Sequence, residues 1–313
     1  MFPMTINIHN QTLSVVFRVF VGLILISSSI LKYISIDVFD LYVFEHNIFS
    51  FSVTEMLTRL LISVECTVGI MLVFKIHVRI AYYTAFIFLV GFTAYLFLLP
   101  YLFDVDINNC HCFGEVIVLS RSESIIKNIF LLGCLFFISP KFFTFRKQET
   151  WITNALLLLI ITVFMVLQAP YYLYNKVHSE KIKIDIQLYE TALLNSGKKE
   201  KFTDGKQIIC MYSVGCEFCK KCAAKLHLIM KNNQLSEDKI KVIFWAETPD
   251  SIIYNFFSDQ KIFLPEYITF SVDTFLNITA GRMPVVLFSD NGTIVHRKNY
   301  VTLNEKDLLN FFK

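Results

Sequence analysis

The stretch SVGCEFCKKCAAKL, residues 213–226, sets two cysteines two residues apart at the start of a run of helix formers. Leu226, Ile229 and Met230 continue it at helical spacing, so a helix opens close to Cys216. A thiolate at a helix N-terminus lies on the positive end of the dipole, which favours the nucleophilic form. Cys216 is the candidate attacking residue. Cys219, one turn further in, is placed to resolve a mixed disulfide. A structural disulfide or a metal site is the competing reading of the pair. Cys222 falls on the same helix face, as a buried thiol or a second exchange partner. C-x-x-C-x-x-C also begins some iron–sulfur runs, but the usual fourth ligand followed by Pro is absent. Cys210, inside an apolar β run, reads as core.

Working outward, KQIICMY (206–212) and IKVIFWAE (240–247) read as strands, with a helix in PDSIIYNFFSDQ after the second. MPVVLFSDNGTIVHRK (283–298) is a strand, an Asn-Gly turn and a second strand, hence a hairpin. NEKDLLNFFK closes the chain as a helix with Asn304 as its cap. This order of elements, with VGCEFCKK at the first helix, resembles the thioredoxin-like fold. RMPVVLFSDNGTIV is similar to the cis-proline and hairpin of the extracytoplasmic TlpA/ResA-type members. The resemblance covers about residues 200–313. It implies a cis bond between Met283 and Pro284, packed beside the cysteine pair and helping to dock a substrate strand. Gly215 stands where the common type has Trp, a departure that bears on redox potential rather than fold.

Upstream the composition changes. Of 313 residues 55% are hydrophobic and 18% charged, and the charges are sparse before about residue 171. A soluble domain carries about a quarter charged residues. Five segments reach toward the roughly 20 apolar residues of a membrane helix: 13–34, 52–74, 80–103, 124–140 and 151–171. Residues 1 to 12 hold no Lys or Arg, so the first segment is expected to be a retained helix rather than a signal peptide. Lys75 and Arg79, and Lys141, Arg146 and Lys147, mark two basic loops. Asp37, Asp40 and Glu45, and Asp104, Asp106 and Glu115, mark two acidic ones. The positive-inside rule then puts the N-terminus in the cytoplasm and everything after residue 171 outside. Trp151 and Tyr171–Tyr172 would mark the two interfaces of the fifth span. The expected domains are a four-helix membrane unit (1–150), a fifth transmembrane helix (151–171), a linker with the start of the outer domain (172–205) and the thioredoxin-like domain (206–313). A net charge of +3 gives no footprint for nucleic acid.

The same topology places NNCHCFGEV, residues 108–116, on the outer side with Cys216. Cysteine pairs persist as disulfides there. A C-x-C disulfide closes a small ring, departs from relaxed geometry and is readily reduced, which suits exchange better than stapling. Cys110 and Cys112 are therefore candidate redox residues. His111 between them reads as an exposed loop residue, a cation favouring the thiolate, or part of a Zn or Cu site. Arg18, Gly22 and Lys32 in the first span, Glu65 and Gly69 in the second, and Cys110, Cys112, Phe113, Gly114 and Asn128 together resemble the MauE/DoxX group over residues 13–140. MauE-type proteins are associated with disulfide handling during maturation of a periplasmic dehydrogenase, and the wider architecture suggests quinone-linked disulfide enzymes by analogy alone. Arg18 and Glu65 are expected in the inner half of the membrane, as a pair with a structural or a proton-conducting role. Cys66 and Cys134 are read as buried small residues or as an inner redox pair. Arg59, Tyr82, Tyr83 and Tyr95 line a cavity or sit at an interface.

These readings converge on an α-helical membrane bundle followed by an α/β thioredoxin-like domain. The expected activity is a membrane-bound thiol–disulfide oxidoreductase of the bacterial inner membrane. Its clients would be extracytoplasmic proteins with thiols or disulfides. No cofactor is expected to be bound covalently, and a quinone is the candidate electron carrier. The rival readings are a metal (copper) handling or assembly factor of the envelope, and an envelope scaffold with incidental cysteines.

Overall fold

The computed structural model describes residues 8–102, 113–114, 117–138, 147–170, 185–245, 247–260 and 262–313, with side chains from residue 12 to 101 and from 151 in the first and fourth of these. Cys110, His111, Cys112, Asp104, Asp106, Glu115, Lys141, Arg146 and Tyr171–Tyr172 lie outside the described residues. The chain forms two compact units, one of residues 1–49 and 53–169 and the other of residues 50–52 and 170–313.

The first unit is helical: α1 (Ile8–Ile34), α2 (Ile36–Glu45), α3 (Phe51–Phe74), α4 (Val78–Leu102), α5 (Arg121–Phe136) and α6 (Lys147–Leu167). Its apolar core takes Val21 and Leu25 from α1, Met71 and Leu72 from α3, Ala81 and Ala85 from α4, and Leu131 and Leu135 from α5. Around this core the usual distribution is inverted. On α3, Thr54, Glu55, Thr58, Arg59 and Ser63 are buried, while Val53, Met56, Leu60 and Leu61 face outward. In hydrocarbon, polar side chains must find partners inside the bundle, and Leu or Ile loses nothing by exposure. This outside-apolar arrangement marks a membrane protein.

Among the described residues, Thr12–Ile34, Phe51–Phe74 and Val78–Tyr101 are long and apolar enough to cross a bilayer. The fourth and fifth segments form helices where expected but fall shorter: α5 has 16 residues and the apolar part of α6, Trp151–Leu167, is a shorter apolar helix. At about 1.5 Å per residue, 16 residues span roughly 24 Å. The start of α5 is fixed by a capping box. Ser120 Oγ accepts from the Glu123 amide at 3.3 Å, and the Glu123 carboxylate accepts from the Ser120 amide at 2.8 Å. The first acidic loop is instead the helix α2, because Asp40 turns inward to a partner described below.

α1 and α3 run antiparallel and touch through glycines. A Cβ on Gly22 would lie 2.8 Å from the Gly69 carbonyl oxygen, and a Cβ on Gly69 would lie 2.8 Å from that of Gly22. Small residues at such a crossing let two backbones approach. α6 also packs on the unit: its Phe164 ring stacks on Tyr33 with centroids 4.3 Å apart, and the Gln168 carbonyl accepts from Arg59 Nε at 3.1 Å.

The second unit is α/β: α7 (Ile186–Asn195), α8 (Lys199–Thr203), β1 (Lys206–Met211), α9 (Glu217–Asn232), β2 (Ile240–Trp245), α10 (Asp250–Ser258), β3 (Glu266–Phe270), α11 (Val272–Thr279), β4 (Val285–Asp290), β5 (Thr293–Lys298) and α12 (Glu305–Phe312). The sheet order is β3-β2-β1-β4-β5. β1, β2 and β3 are parallel neighbours, while β4 is antiparallel to both β1 and β5. Strands covered on both faces read as continuous apolar runs rather than alternations. Ile208–Met211 and Val285–Phe288 follow that rule and are fully buried. The expected hairpin turns at Asn291 and Gly292 with φ of 47° and 81°, the two positive values a type I′ turn requires. Asn304 caps α12 by accepting from the Lys306 amide at 3.1 Å. β3 and α11 add to the elements expected from the sequence. EYITF is a five-residue run whose neighbours, Pro265 and Ser271, are the punctuation that would have exposed it.

Candidate active site

β1 ends at Met211, and the chain reaches Cys216 through Ser213, Val214 and Gly215. Cys216 is the N-cap of α9. Its sulfur accepts from the Cys219 amide at 3.3 Å, and its carbonyl accepts from the amides of Cys219 and Lys220 at 3.0 and 3.2 Å. Negative charge developing on Cys216 during exchange therefore meets an N–H donor and the positive end of α9. Cys216 is half-buried, while Cys219 behind it is fully buried. Burial, and then contact with the Cys216 sulfur, pushes the Cys219 thiol well above the ordinary thiol range. It keeps its proton while Cys216 is free.

Cys222 and Cys210 lie deeper, beside Tyr212. Burial pushes the Cys222 thiol up to about 12, and Cys210 is raised by the same cause. The Met283–Pro284 bond is cis. Val285 pairs with Met211, so Pro284 adjoins the end of β1 that leads to the cysteines. The expected docking residues and the cysteine pair thus share one end of the sheet.

The expected partnership of Arg18 with Glu65 is not what the helical unit contains. The Arg18 guanidinium donates to the carbonyls of Leu72 and Val73. The Glu65 carboxylate accepts from the Lys32 ammonium at 2.7 Å and the Ser28 hydroxyl at 2.8 Å. The reason is register. With α1 antiparallel to α3, Glu65 lies level with Ser28, and Arg18 is ten residues earlier, about 15 Å along the axis. The guanidinium of Arg59 finds Asp40 of α2, at 3.0 and 2.8 Å to its two carboxylate oxygens, and the Thr58 hydroxyl donates to the same carboxylate. This buried pair draws α2 onto α3. Nothing in the spacing of Asp40 and Arg59 announces it, since they sit on different helices.

Tyr95 does line a cavity. Its hydroxyl meets His46 Nε2 at 2.5 Å and the Tyr42 hydroxyl at 2.9 Å. Tyr82 packs against the apolar core, and Tyr83 is exposed. Cys66 and Cys134 are both buried free thiols.

Phe113 and Gly114 of the NNCHCFGEV stretch are pinned to this unit. Phe113 packs against Leu96, as do Phe92 and Tyr95, and the Lys127 ammonium stands 4.6 Å from the Phe113 ring centroid. Gly114 has φ +67°, and a Cβ there would lie 1.9 Å from Ser35 Oγ and 2.7 Å from the Leu31 carbonyl oxygen. Only glycine fits both conditions. Among the described residues no group of three or more His, Cys, Asp or Glu is placed to hold a metal ion.

Residues 10–140 match the family model described as methylamine utilisation protein MauE. Over 352 aligned positions the chain is 25% identical to Protein TlpB of Flavobacterium psychrophilum, with 96% of this chain and 94% of that protein covered. No solved structure matches. The N-terminal region of this membrane protein carries a MauE family-model domain, and the polypeptide continues into a thioredoxin-like α/β domain.

Proposed function

We propose that the chain is a membrane-bound enzyme that exchanges disulfides with extracytoplasmic client proteins. The observation that carries this reading is the asymmetry of Cys216 and Cys219: one sulfur capped and accessible, the other buried and held as the thiol. In the reducing direction, the Cys216 thiolate attacks a client disulfide, forms a mixed disulfide and releases one client thiolate. Cys219 then loses its proton and attacks the Cys216 sulfur. The second client thiol leaves, and the Cys216–Cys219 disulfide holds the oxidising equivalents. Run backward, the same steps oxidise a client dithiol. Met283 and Pro284 dock the client strand.

Cys110 and Cys112 recharge the pair by a second exchange and pass two electrons to or from a lipid-soluble carrier of the quinone class. The reading is supported by the anchoring of Phe113 and Gly114, the residues that follow Cys112, against α1 and α4. The protein resides in the bacterial inner membrane with its N-terminus in the cytoplasm and the thioredoxin-like domain outside. The basic residues Lys75 and Arg79 at the α3–α4 connection favour that orientation. Alkylation of free thiols in cells tests the scheme. Replacing Cys110 and Cys112 by Ser shifts Cys216 and Cys219 from their wild-type redox state, and quinone depletion shifts them the same way. An unchanged state in both experiments contradicts the coupling.

A further inference from the structure

α1, α2, α3, α4 and α5 surround a cavity of about 480 Å³, within the range of small-molecule sites. Leu61 and Ile87, within the α3 and α4 spans, line it and are also exposed. A ligand therefore reaches it through the face a bilayer covers. The polar groups inside are few. Lys32, Glu65 and Ser28 satisfy one another, as do Tyr42, Tyr95 and His46, and the Lys127 ammonium stands over the Phe113 ring. Asn128 on α5 is different. It is fully buried and lines the cavity, and neither its amide nitrogen nor its amide oxygen finds a hydrogen-bond partner among the described residues.

A buried carboxamide offers one donor face and one acceptor face, and native interiors leave such groups unmatched only rarely. An acyl chain matches neither face. A phosphate headgroup could meet Lys32 and Lys127, which also line the cavity, but it leaves the Asn128 oxygen without a donor and stands close to the Glu65 carboxylate. A quinone matches both in turn: its ring carbonyl accepts from Asn128 Nδ2, and the hydroxyl of the reduced ring donates to Asn128 Oδ1. The ring and tail suit the apolar walls. We propose that this cavity is a quinone site in which Asn128 holds one ring oxygen in both redox states.

The redox role of the site rests on the exchange reading above, while ligand binding does not. When a dithiol of this chain is oxidised there, two thiols give up two electrons and two protons. The products are one disulfide and one hydroquinone.

The test uses the full chain in phosphatidylcholine nanodiscs with decylubiquinone as the probe, measuring binding by titration calorimetry and reduction by absorbance. Saturable binding is expected, with affinity reduced at least tenfold in Asn128→Leu. Leu61→Trp, which fills the lipid-facing wall and leaves Asn128 intact, is expected to weaken binding similarly. Unchanged affinity in both variants overturns the site, as does displacement of the probe by phosphatidylglycerol. The Cys110→Ser, Cys112→Ser double variant should bind as tightly as wild type and fail to reduce the probe. Asn128-dependent binding without reduction by the wild type would sink the exchange reading and leave the site standing. Reduction at the wild-type rate in Asn128→Leu would sink the site and leave that reading standing.

Discussion

Lys32 near the end of α1 and Glu65 in the middle of α3 meet at 2.7 Å, with 14% and 10% of their side chains exposed. The pair joins the two antiparallel helices across the wall of the cavity. Removing one partner strands a charge away from water, which costs about 3–5 kcal/mol for a buried pair. Lys32→Met and Glu65→Leu should each lower the unfolding temperature of the detergent-solubilised protein sharply. The double substitution should recover most of the loss. Additive losses in the double variant would show that the two residues do not interact.

Gly114 makes a second prediction. A methyl group there meets Ser35 Oγ and the Leu31 backbone while forcing a residue with a Cβ to φ +67°. Gly114→Ala is expected to destabilise the helical unit by about 1–3 kcal/mol. It should also raise the rate at which a maleimide reagent labels reduced Cys112. Adding Ser35→Gly removes one clash and leaves the carbonyl of Leu31, so it should restore only part of the stability. Full restoration would place the strain in the side-chain contact alone.

The thiols of the thioredoxin-like domain predict a dependence on pH. Cys219 and Cys222 have folded-state values above the ordinary value of 9.0, with Cys222 at about 12. Above the ordinary thiol value the unfolded chain has lost protons that the folded chain retains, so stability falls as pH rises. Each such group contributes a slope of about 1.4 kcal/mol per pH unit. The contribution is fully present below pH 9 and is lost through the window above it, to about 12 for Cys222. Denaturant midpoints from pH 8 upward should fall for the reduced protein. They should fall less steeply for the Cys216–Cys219 disulfide form, where Cys219 no longer titrates, and for Cys222→Ala. Equal slopes in all three would contradict the burial argument.

The thioredoxin-like sheet was legible because its signals are local. GCEFC opens α9, the Asn291–Gly292 turn closes the hairpin, and Asn304 caps α12. β3 is faint in the sequence because one short run between turn residues gives a weak period. In the helical unit, the sequence announced helices at the five segments, but the Gly22–Gly69 contact and the polar partnerships depend on the register of helices far apart in the chain. Glu65 took Lys32 rather than Arg18 for that reason. Asp40 became part of a buried pair although its neighbours, Asp37 and Glu45, read as a solvated acidic loop. The unmatched amide of Asn128 likewise becomes visible only when the neighbouring helices are in place.

Disulfide exchange turns on Cys216 as the attacking sulfur and Cys219 as the one that releases it. The most direct measurement is the capture of mixed disulfides by the Cys219→Ser variant in cells, resolved on non-reducing gels. The account predicts high-mass adducts that collapse on reduction and vanish when Cys216→Ser is added. Adducts that persist in the double variant, or none in Cys219→Ser, would contradict it.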